Sequence, residues 1–340
     1  MTNGKTGGVR LQDVADLAGV SMKTVSNVVR DRPYVSAKMR TKVQTAIDQL
    51  GYRPNMTARR LATGRTGMIA LALPELDQPY FAEIARHISA ESGRRGYRIM
   101  VEQTLNDVEA ERAVIRDREE GLVDGVIFQP VHIGTLDIAR MRPETPLVLL
   151  GEAARPLTFD HVMIDNVAAA EEAVRLLISQ GRKRIAFFGT IERDQTEATH
   201  LRLVGYQQAL VAASHELDPR LVVHSEGFEM ESAVAALSAA IDDGLIVDAV
   251  LCRDDLFALA AMRVLRDKGL SVPGDVAVLG WDDTAIARNS TPALSSVAPD
   301  KAAIARAALD LLIGRIEGHA GPGRHLLEGY VISERETTAM

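Results

Sequence analysis

Short apolar runs alternate with amphipathic segments of helical length from Met68 onward, and this alternation restricts the possible folds more than any other feature. Nine runs have the composition of buried strands: MIALAL, YRIMV, DGVIFQ, PLVLL, HVMI, RIAFFG, LVVH, DAVLC and VAVLG. Crossover helices fit at 80–95, 166–180, 197–213, 229–243 and 254–268. The pattern predicts an α/β body of doubly wound parallel sheets, and nine strands suit two lobes better than one. Ligands of such sheets bind at the carboxyl ends of the strands, so we expect a binding cleft there.

Three shorter helical patterns precede this body, in residues 11–50. Gly19 ends the first pattern, Ser21 is placed to cap the second, and Ser36 is placed to cap the third, which Gly51 ends. The inward positions are Leu11, Val14, Ala15 and Ala18, then Val25, Val28 and Val29, then Met39, Val43, Ala46, Ile47 and Leu50. Three helices of this length can close a small core of their own.

The second of these helices leaves one polar face unburied, carrying Met22, Lys23, Ser26, Asn27 and Arg30. Such a pair of helices is either a hairpin packed in a larger core or a helix-turn-helix that reads DNA. The distribution of charge favours DNA. Up to residue 65 the chain has twelve Lys and Arg against four Asp and Glu, a net charge of +8, whereas the remainder has 27 against 42, a net charge of −15. A basic head on an acidic body indicates a polyanionic partner for the head alone.

Two other classes of protein, a two-lobed enzyme and a free solute-binding protein, explain the sequence less well. The chain has no GxxxxGK[ST], no GxGxxG at a strand-to-helix turn, and no GxSxG, CxxC or HExxH, and its eight His residues lack ligand spacing. We therefore expect no enzyme activity, no metal and no cofactor. A solute-binding protein needs a signal peptide, but MTNGKTGGVR has no apolar core, and no run is long enough to span a bilayer. The expected compartment is the cytoplasm, and Cys252 is expected to be a buried core thiol.

Two sets of phrases carry a resemblance to a known family. In the head they are LQDVADLAGVSMKTVSNVV, VSAKMRTKV, LGYRPN and ARRLATGRTGMIAL. In the body they include PYFAEI, RRGYRI, VDGVIF, IDNVAAAEEAVRLLISQGRKRIAFFG, LRLVGY, DDLFALAAMRVLRDKGLSVPGDVAVLGWDD and SERETT. In order and spacing they resemble the lactose repressor (LacI/GalR) family of bacterial transcription regulators over nearly the whole chain.

The resemblance implies an all-α helix-turn-helix headpiece followed by a two-lobed core of the periplasmic-binding-protein type I fold. The expected domains are a DNA-binding domain at 1–54, a hinge helix and linker at 55–65, and an effector-binding and dimerisation core at 66–340. Within the core, the first lobe would hold about 66–165 and 297–323. The second lobe would hold about 166–296 and 324–340.

The resemblance also implies which side chains touch DNA. Met22, Lys23 and Asn27 would meet base edges, where Lys can donate to guanine, Asn can bond adenine, and Met can contact a thymine methyl. Relatives often carry Arg at the position of Asn27, so the preferred bases there are expected to differ. Phosphate contacts would come from Ser21, Thr24, Ser26, Arg30 and Ser36, and the DNA-binding set further includes Leu11 and Tyr52.

The segment 55–63 resembles the family's hinge helix. By that likeness Asn55 would cap the helix, Arg59 would lie near the DNA backbone, and Leu61 would wedge into the minor groove. Nine residues are too few for a stable isolated helix, so we expect this segment to fold only on DNA and beside its twin.

In the core, the ligand-contacting positions of the family fall on Phe81, Arg202, Phe228, Arg253 and Asp282. An arginine and a carboxylate that converge can bind several hydroxyl groups, while an aromatic ring stacks on a sugar face. Taken singly, Arg202 also fits a salt bridge between lobes, Phe228 core packing and Asp282 a turn. Arg253 departs from relatives, which carry a small polar residue there; it indicates either an anionic ligand or a pocket partly filled by its own side chain.

These inferences together predict a homodimeric repressor of a carbohydrate or related catabolic operon. Its partners would be double-stranded DNA with a pseudo-palindromic operator and a small effector, sugar-like by the family's example, bound between the lobes.

Overall fold

The computed structural model describes residues 9–29, 34–52, 65–116, 121–141, 145–153, 158–191 and 196–339. The chain divides into two compact units, Met1–Thr66 and Gly67–Met340. The described part of the first unit contains three helices: α1 (Leu11–Leu17), α2 (Met22–Val29) and α3 (Ala37–Leu50).

The head closes a core of its own from the positions that helical periodicity predicts. Its innermost side chains are no more than 3% exposed: Val14, Ala15, Ala18, Val25, Val43 and Ala46. Ser21 Oγ accepts the Thr24 N–H at 3.1 Å, and Ser36 Oγ accepts the Met39 N–H at 3.3 Å. Gly51 ends α3 with φ +62°, a conformation that glycine adopts without strain. The predicted caps and inward faces are confirmed.

The first sheet of the core is entirely parallel. Its strands are β1 (Met68–Leu73), β2 (Arg98–Gln103), β3 (Gly125–Phe128), β4 (Leu147–Leu150), β5 (Asp160–Ile164) and β11 (His325–Glu328). They lie in the order β2-β1-β3-β4-β5-β11. The associated helices are α4 (Pro79–Arg94), α5 (Val108–Arg116), α6 (Thr135–Met141) and α12 (Lys301–Ile316).

The second sheet repeats this order. Its strands are β6 (Ile185–Thr190), β7 (Val222–His224), β8 (Ala249–Cys252), β9 (Ala277–Trp281), β10 (Ser295–Pro299) and β12 (Tyr330–Ser333), in the order β7-β6-β8-β9-β10-β12. Only β12 departs from the parallel arrangement, because it pairs antiparallel with β10. The associated helices are α7 (Asn166–Ser179), α8 (Glu197–Ala212), α9 (Met230–Asp242), α10 (Asp255–Asp267) and α11 (Ala285–Arg288), with a 3-10 turn at Pro219–Leu221.

All nine predicted apolar runs form strands, so the two doubly wound sheets are confirmed, but three further strands were not predicted. β10 begins with Ser295 and Ser296, which are fully buried although polar. Their hydroxyls are hydrogen-bonded at 2.7 Å, that of Ser295 to Thr338 Oγ1 and that of Ser296 to Asp255 Oδ1. β11 and β12 have four residues each and expose Leu327 and Val331 by more than 60%, so neither resembles a buried strand.

The strand pairing also corrects the predicted lobe boundaries at 297 and 323. β10 stays in the second sheet as far as Pro299, and α12 then packs on the first sheet. β11 pairs in parallel with β5, with Leu326 opposite Val162, so 325–328 belong to the first lobe rather than the second. The chain returns to the second lobe only with β12.

A buried ion cluster at Asp160 fixes α12 and the segment before β11 on the first lobe. The Asp160 carboxylate, fully buried at the start of β5, accepts from Arg315 Nε at 2.8 Å and from the Arg324 backbone N–H at 2.8 Å. Burial by itself would raise the pKa of Asp160, but the hydrogen bonds and charges of Arg315 and Arg324 lower it to about 2. One carboxylate therefore ties β5 to α12 and to the segment that leads into β11.

We expect Asp160→Asn to destabilise the core by about 3 kcal/mol at pH 7, the lower end of the range for breaking a buried pair, because Arg324 is half exposed. The folded pKa lies below the ordinary value of 3.8, so this stabilisation is present above pH 4 and is lost as the pH falls towards 2. Urea unfolding at pH 7 and pH 3 measures both effects.

Glu171→Gln is the matched control, since Glu171 pairs with the exposed Arg175 on α7. It should cost no more than about 0.5 kcal/mol. Equal losses in the two variants would show that burial adds nothing to the Asp160 cluster.

Candidate DNA-reading face and effector cleft

Helix α2 presents the predicted reading face of the head. Met22 is 49% exposed and Lys23 is exposed, whereas Thr24, Ser26 and Asn27 are half-buried. At the start of this face, Ser21 Oγ also lies within hydrogen-bond distance of Thr24 Oγ1, at 2.9 Å. Met22 and Lys23 are therefore the side chains most free to reach a groove.

The remaining predicted DNA residues divide into those that the structure places and those that it does not. Leu11 and Tyr52 pack against the apolar core of the head, and Ser36 is an exposed cap of α3. Burial raises the pKa of the Tyr52 hydroxyl. The other predicted DNA residues lie outside the described part of the chain: Arg30, Asn55, Arg59 and Leu61.

Sequence reasoning missed Tyr34, which lies in the turn before α3. Its side chain is 72% exposed and its hydroxyl donates to Asn27 Oδ1 at 3.4 Å. A turn residue has no helical periodicity, so only its aromatic character within a basic head could have drawn attention to it. Tyr34 places a second polar group beside Asn27 on the reading face.

The core contains a cavity of about 140 Å³ at the carboxyl ends of both sheets. The segments that line it follow β1, β3 and β4 in the first lobe and β7, β8 and β9 in the second. In each sheet the first strand along the chain lies between the second and the third: β1 between β2 and β3, and β6 between β7 and β8. Successive connections therefore run to opposite sides of this first strand. Such switch points leave a crevice between loops that run to opposite faces of the sheet, which explains where the cavity lies.

All five residues predicted to contact an effector line this one cavity. Phe81 is on α4, Arg202 is on α8, and Phe228, Arg253 and Asp282 follow β7, β8 and β9. The cleft therefore receives predicted side chains from both lobes, although they are distant from one another in sequence.

The guanidinium group of Arg202 is held from several sides. Nε donates to Asn166 Oδ1 at 2.8 Å, Nη1 donates to the Arg253 carbonyl, and the group lies 4.2 Å from the ring centroid of Trp281. No carboxylate of the described residues lies within salt-bridge distance of it, which argues against a role as a bridge between lobes. The orientation of Arg202 is thus fixed by contacts within the protein.

Arg253 extends across the second-lobe wall of the cleft. Its Nε lies 3.1 Å from Asp254 Oδ2, and its guanidinium group lies 4.4 Å from the ring centroid of Phe228. The stem packs over Gly189, which has φ +113° and where a Cβ atom would overlap the Arg253 side chain. Burial lowers the pKa of Arg253. The side chain therefore occupies part of the cleft, and Phe228 stacks on it.

Two carboxyl groups lie at the base of the cleft. Burial raises the pKa of Asp282 to about 6, although the charge of Arg202 opposes this shift. Burial also raises the pKa of Asp255 to about 7, although its oxygens accept from the Thr284 N–H at 2.7 Å, the Thr284 hydroxyl at 2.8 Å and the Ser296 hydroxyl at 2.7 Å. Both oxygens of Asp255 already accept hydrogen bonds within the protein, so Asp282 is the carboxyl group that can accept from ligand hydroxyls.

Two further polar residues that line the cavity, Gln129 and Glu152, were not predicted, and neither was Asn166, which contacts Arg202. A sequence signal for all three was present. Gln129 directly follows β3, and Glu152 and Asn166 lie two residues beyond the ends of β4 and β5. Polar residues immediately after buried strands lie at the ligand edge of a parallel sheet. Glu152 Oε1 accepts from Asn166 Nδ2 at 2.6 Å, so these two residues extend the support of Arg202 into the first lobe.

Cys252, the last residue of β8, is fully buried, and burial raises the pKa of its thiol, as expected for a core residue. Across the described ranges, no three His, Cys, Asp and Glu side chains are grouped to hold a metal ion. None of the helices in the described part of the chain is long and apolar enough to cross a membrane.

Comparison with known families and proteins agrees with this geometry. Residues 10–55 match the model of bacterial regulatory proteins of the lacI family, and residues 174–338 match a periplasmic binding protein-like domain. The HTH-type transcriptional regulator CelR of Thermobifida fusca is 35% identical over 95% of this chain and 96% of its own length. The HTH-type transcriptional repressor CytR of Escherichia coli K12 is 30% identical over 97% of this chain and 96% of its own length.

Two solved structures match over nearly the whole chain. A CelR–cellobiose complex aligns with a TM-score of 0.71 and 32% identity, covering 97% of this chain and 99% of its own. The lac repressor dimer bound to operator and the anti-inducer ONPF aligns with a TM-score of 0.83 and 25% identity, covering 98% and 100%. Since the reading face, the two sheets and the full-length relatives all agree, this chain belongs to the lacI family of bacterial regulatory proteins.

Proposed function

We propose that this protein is a homodimeric transcriptional repressor of the cytoplasm, controlled by a small sugar-like effector. It would bind a pseudo-palindromic operator of a carbohydrate or related catabolic operon. The observation that carries the proposal is the presence, in one chain, of a helix-turn-helix head with an exposed reading face and a core with a two-lobed ligand cleft. The hinge proposed at 55–65 would connect them; of this segment only residue 65 is described.

Two relatives support the partners in this proposal. CelR has been solved with cellobiose, and the lac repressor has been solved as a dimer on operator DNA. By analogy, a dimer of this chain would present two basic heads to two half-sites. The acidic core would be repelled by DNA and leave the heads to dock.

The charges of the cleft favour a neutral effector over an anionic one. Among the described residues that line the cavity, two guanidinium groups face six carboxyl groups: Arg202 and Arg253 against Glu75, Glu152, Glu197, Asp254, Asp255 and Asp282. Arg253 is already paired with Asp254. A phosphate or carboxylate would meet unfavourable electrostatic energy here, whereas hydroxyl groups can donate to the carboxyl oxygens.

The size of the cavity helps to decide between the two explanations of Arg253, an anionic ligand or a pocket partly filled by its own side chain. An engineered cavity of roughly 150 Å³ accepts benzene, so about 140 Å³ suits a ligand of one ring. The Arg253 side chain takes space on the second-lobe wall. We therefore propose that Arg253 limits the length of the ligand rather than binding an anion.

The DNA-reading proposal predicts that Lys23→Ala and Asn27→Ala each weaken operator binding by about 1 to 3 kcal/mol and relax base preference at one step. Both side chains lie on the polar face of α2, where Lys23 is exposed and Asn27 is half-buried. Selection of bound sites from a random DNA pool, followed by affinity measurements, tests both effects.

Lys183→Ala is a control for the loss of one positive charge, since Lys183 is an exposed residue of the core. It should leave base preference unchanged. Identical selected sites for the wild type, Lys23→Ala and Asn27→Ala would contradict the reading role of α2.

The cleft proposal predicts that Asp282→Ala reduces effector affinity about tenfold or more, because a charge-assisted hydrogen bond is worth about 1.5 to 3 kcal/mol. Operator affinity without effector should remain within about twofold of wild type, since base reading and charge complementarity belong to the head. Calorimetric titration with glucose, cellobiose and a panel of mono- and disaccharides measures the first quantity, and Glu226→Ala, an exposed neighbour of Phe228, is the control. An Asp282→Ala protein with native sugar affinity would refute the cleft assignment.

The proposed role of Arg253 predicts that Arg253→Asn raises the affinity for cellobiose relative to glucose, because the shorter side chain opens the second-lobe wall. Isothermal titration with glucose, cellobiose and glucose 6-phosphate tests this, with Arg175→Asn on the exposed face of α7 as the control. If the wild type prefers glucose 6-phosphate and Arg253→Asn loses that preference, the ligand is an anion and the proposal is wrong.

A further inference from the structure

The turn that carries Asp282 has an unusual backbone. Asp282 has φ +95° and Asp283 has φ +47°, so two consecutive residues with a Cβ atom lie in the left-handed region. Such conformations are unfavourable for residues with a Cβ atom and persist only where surrounding contacts impose them. The contacts that impose this turn can be identified group by group.

Side chains hold most of the backbone groups in this turn. Asp283 N–H donates to Ser296 Oγ at 2.9 Å, and Thr284 N–H donates to Asp255 Oδ2 at 2.7 Å. Both holders belong to the second lobe, as does the turn. The Asp282 N–H donates at 2.8 Å to a backbone carbonyl of β10, that of Val297. Within the second lobe, Arg288 Nη1 also donates to the Asp283 carbonyl, and Arg335 Nη2 lies 2.7 Å from Asp283 Oδ1.

Further contacts come from the first lobe. Lys301, the first residue of α12, directs its ammonium group at the carbonyl oxygens of Asp282 and Asp283, the latter at 3.2 Å. The same ammonium lies 2.9 Å from Glu83 Oε2, and Glu83 Oε1 accepts the Ala285 N–H at 2.8 Å. The three donors of the ammonium are thereby matched by three acceptors.

This clamp, formed by Glu83 and Lys301, is nearly closed to solvent. The Lys301 side chain is 8% exposed and that of Glu83 is 13% exposed. The charge of Lys301 helps to lower the pKa of Glu83, although burial opposes this shift. A buried ammonium is unfavourable unless it is paired and hydrogen-bonded, so Lys301 stays buried only while the turn and Glu83 are in reach.

We propose that Glu83 and Lys301 are positioning residues of the effector site, which hold the strained Asp282 turn of the second lobe from helices of the first. The Asp282 carboxyl group is then held in its orientation only when the two lobes are placed so that Glu83 and Lys301 contact the turn. This inference rests on the proposed role of Asp282 in effector binding. It makes any ligand that binds Asp282 sensitive to the relative position of the lobes, because such a ligand has different affinities for the clamped and released turns.

The clamp can be tested without knowing the effector, by hydrogen–deuterium exchange of the full-length protein. In Lys301→Met, we expect the amides of a peptide spanning 279–290 to exchange at least tenfold faster than in wild type, while β8 is unchanged. Glu83→Gln should raise the exchange less, since the amide oxygen still accepts from Ala285 but no longer neutralises Lys301. If Lys301→Met folds poorly, exchange of the 279–290 peptide in Glu83→Gln still tests the clamp.

Arg95→Met is the matched control. Arg95, the residue that caps the end of α4, pairs at 2.5 Å with Asp310 on α12, so it joins the same two helices without touching the second lobe. It should leave exchange of the 279–290 peptide unchanged.

Unchanged exchange of the turn in Lys301→Met, or an equal rise in the turn and in β8, overturns the clamp. Failure of the clamp and failure of the effector site are distinguishable. Faster exchange of the turn in Lys301→Met supports the clamp even where Asp282→Ala retains native sugar affinity, a result that refutes only the proposed effector site.

Discussion

The carboxyl edges of the two parallel sheets meet at one cavity, and the position of nearly every polar residue in the cleft depends on this arrangement. Strands of a doubly wound sheet are covered on both faces, so functional side chains are left to the segments after the strands. Glu75 and Gln129 follow β1 and β3, while Asp254 and Asp282 follow β8 and β9. The two sheets have the same strand order, and segments that follow strands of both sheets line one site.

The residues that support the cleft and those at its base differ in how their buried charges are matched by partners. Asp160 and Lys301 are buried ions whose partners match them fully, and each ties separate elements together. Asp282 and Asp255 lie among more carboxyl groups than cations, and burial raises their pKa values to about 6 and about 7. Both oxygens of Asp255 accept hydrogen bonds within the second lobe, so Asp282 is the carboxyl group placed where a ligand with hydroxyl groups would supply donors.

Sequence patterns predicted the elements of the fold that depend on interactions between residues close together in the chain. The caps at Ser21 and Ser36, the inward faces of the head and the nine apolar strands follow from periodicity and capping chemistry. β10 could not be predicted, because Ser295 and Ser296 are buried only through partners elsewhere in the chain. Likewise, β11 and β12 are too short and too exposed for their sequence to show which sheet each joins.

The residues of the site were likewise only partly predictable from the sequence, and Lys301 shows why. Family resemblance placed five residues in the cleft, and the rule about strand ends could have added Gln129 and Glu152. No local rule indicates the clamp, because Glu83 and Ala285 are 202 residues apart. A lysine in the first turn of a helix opposes the helix dipole, so local reasoning disfavours it there. Its burial against Glu83 and two carbonyls compensates, and such a conflict between local preference and tertiary contact is expected where a residue has a functional role.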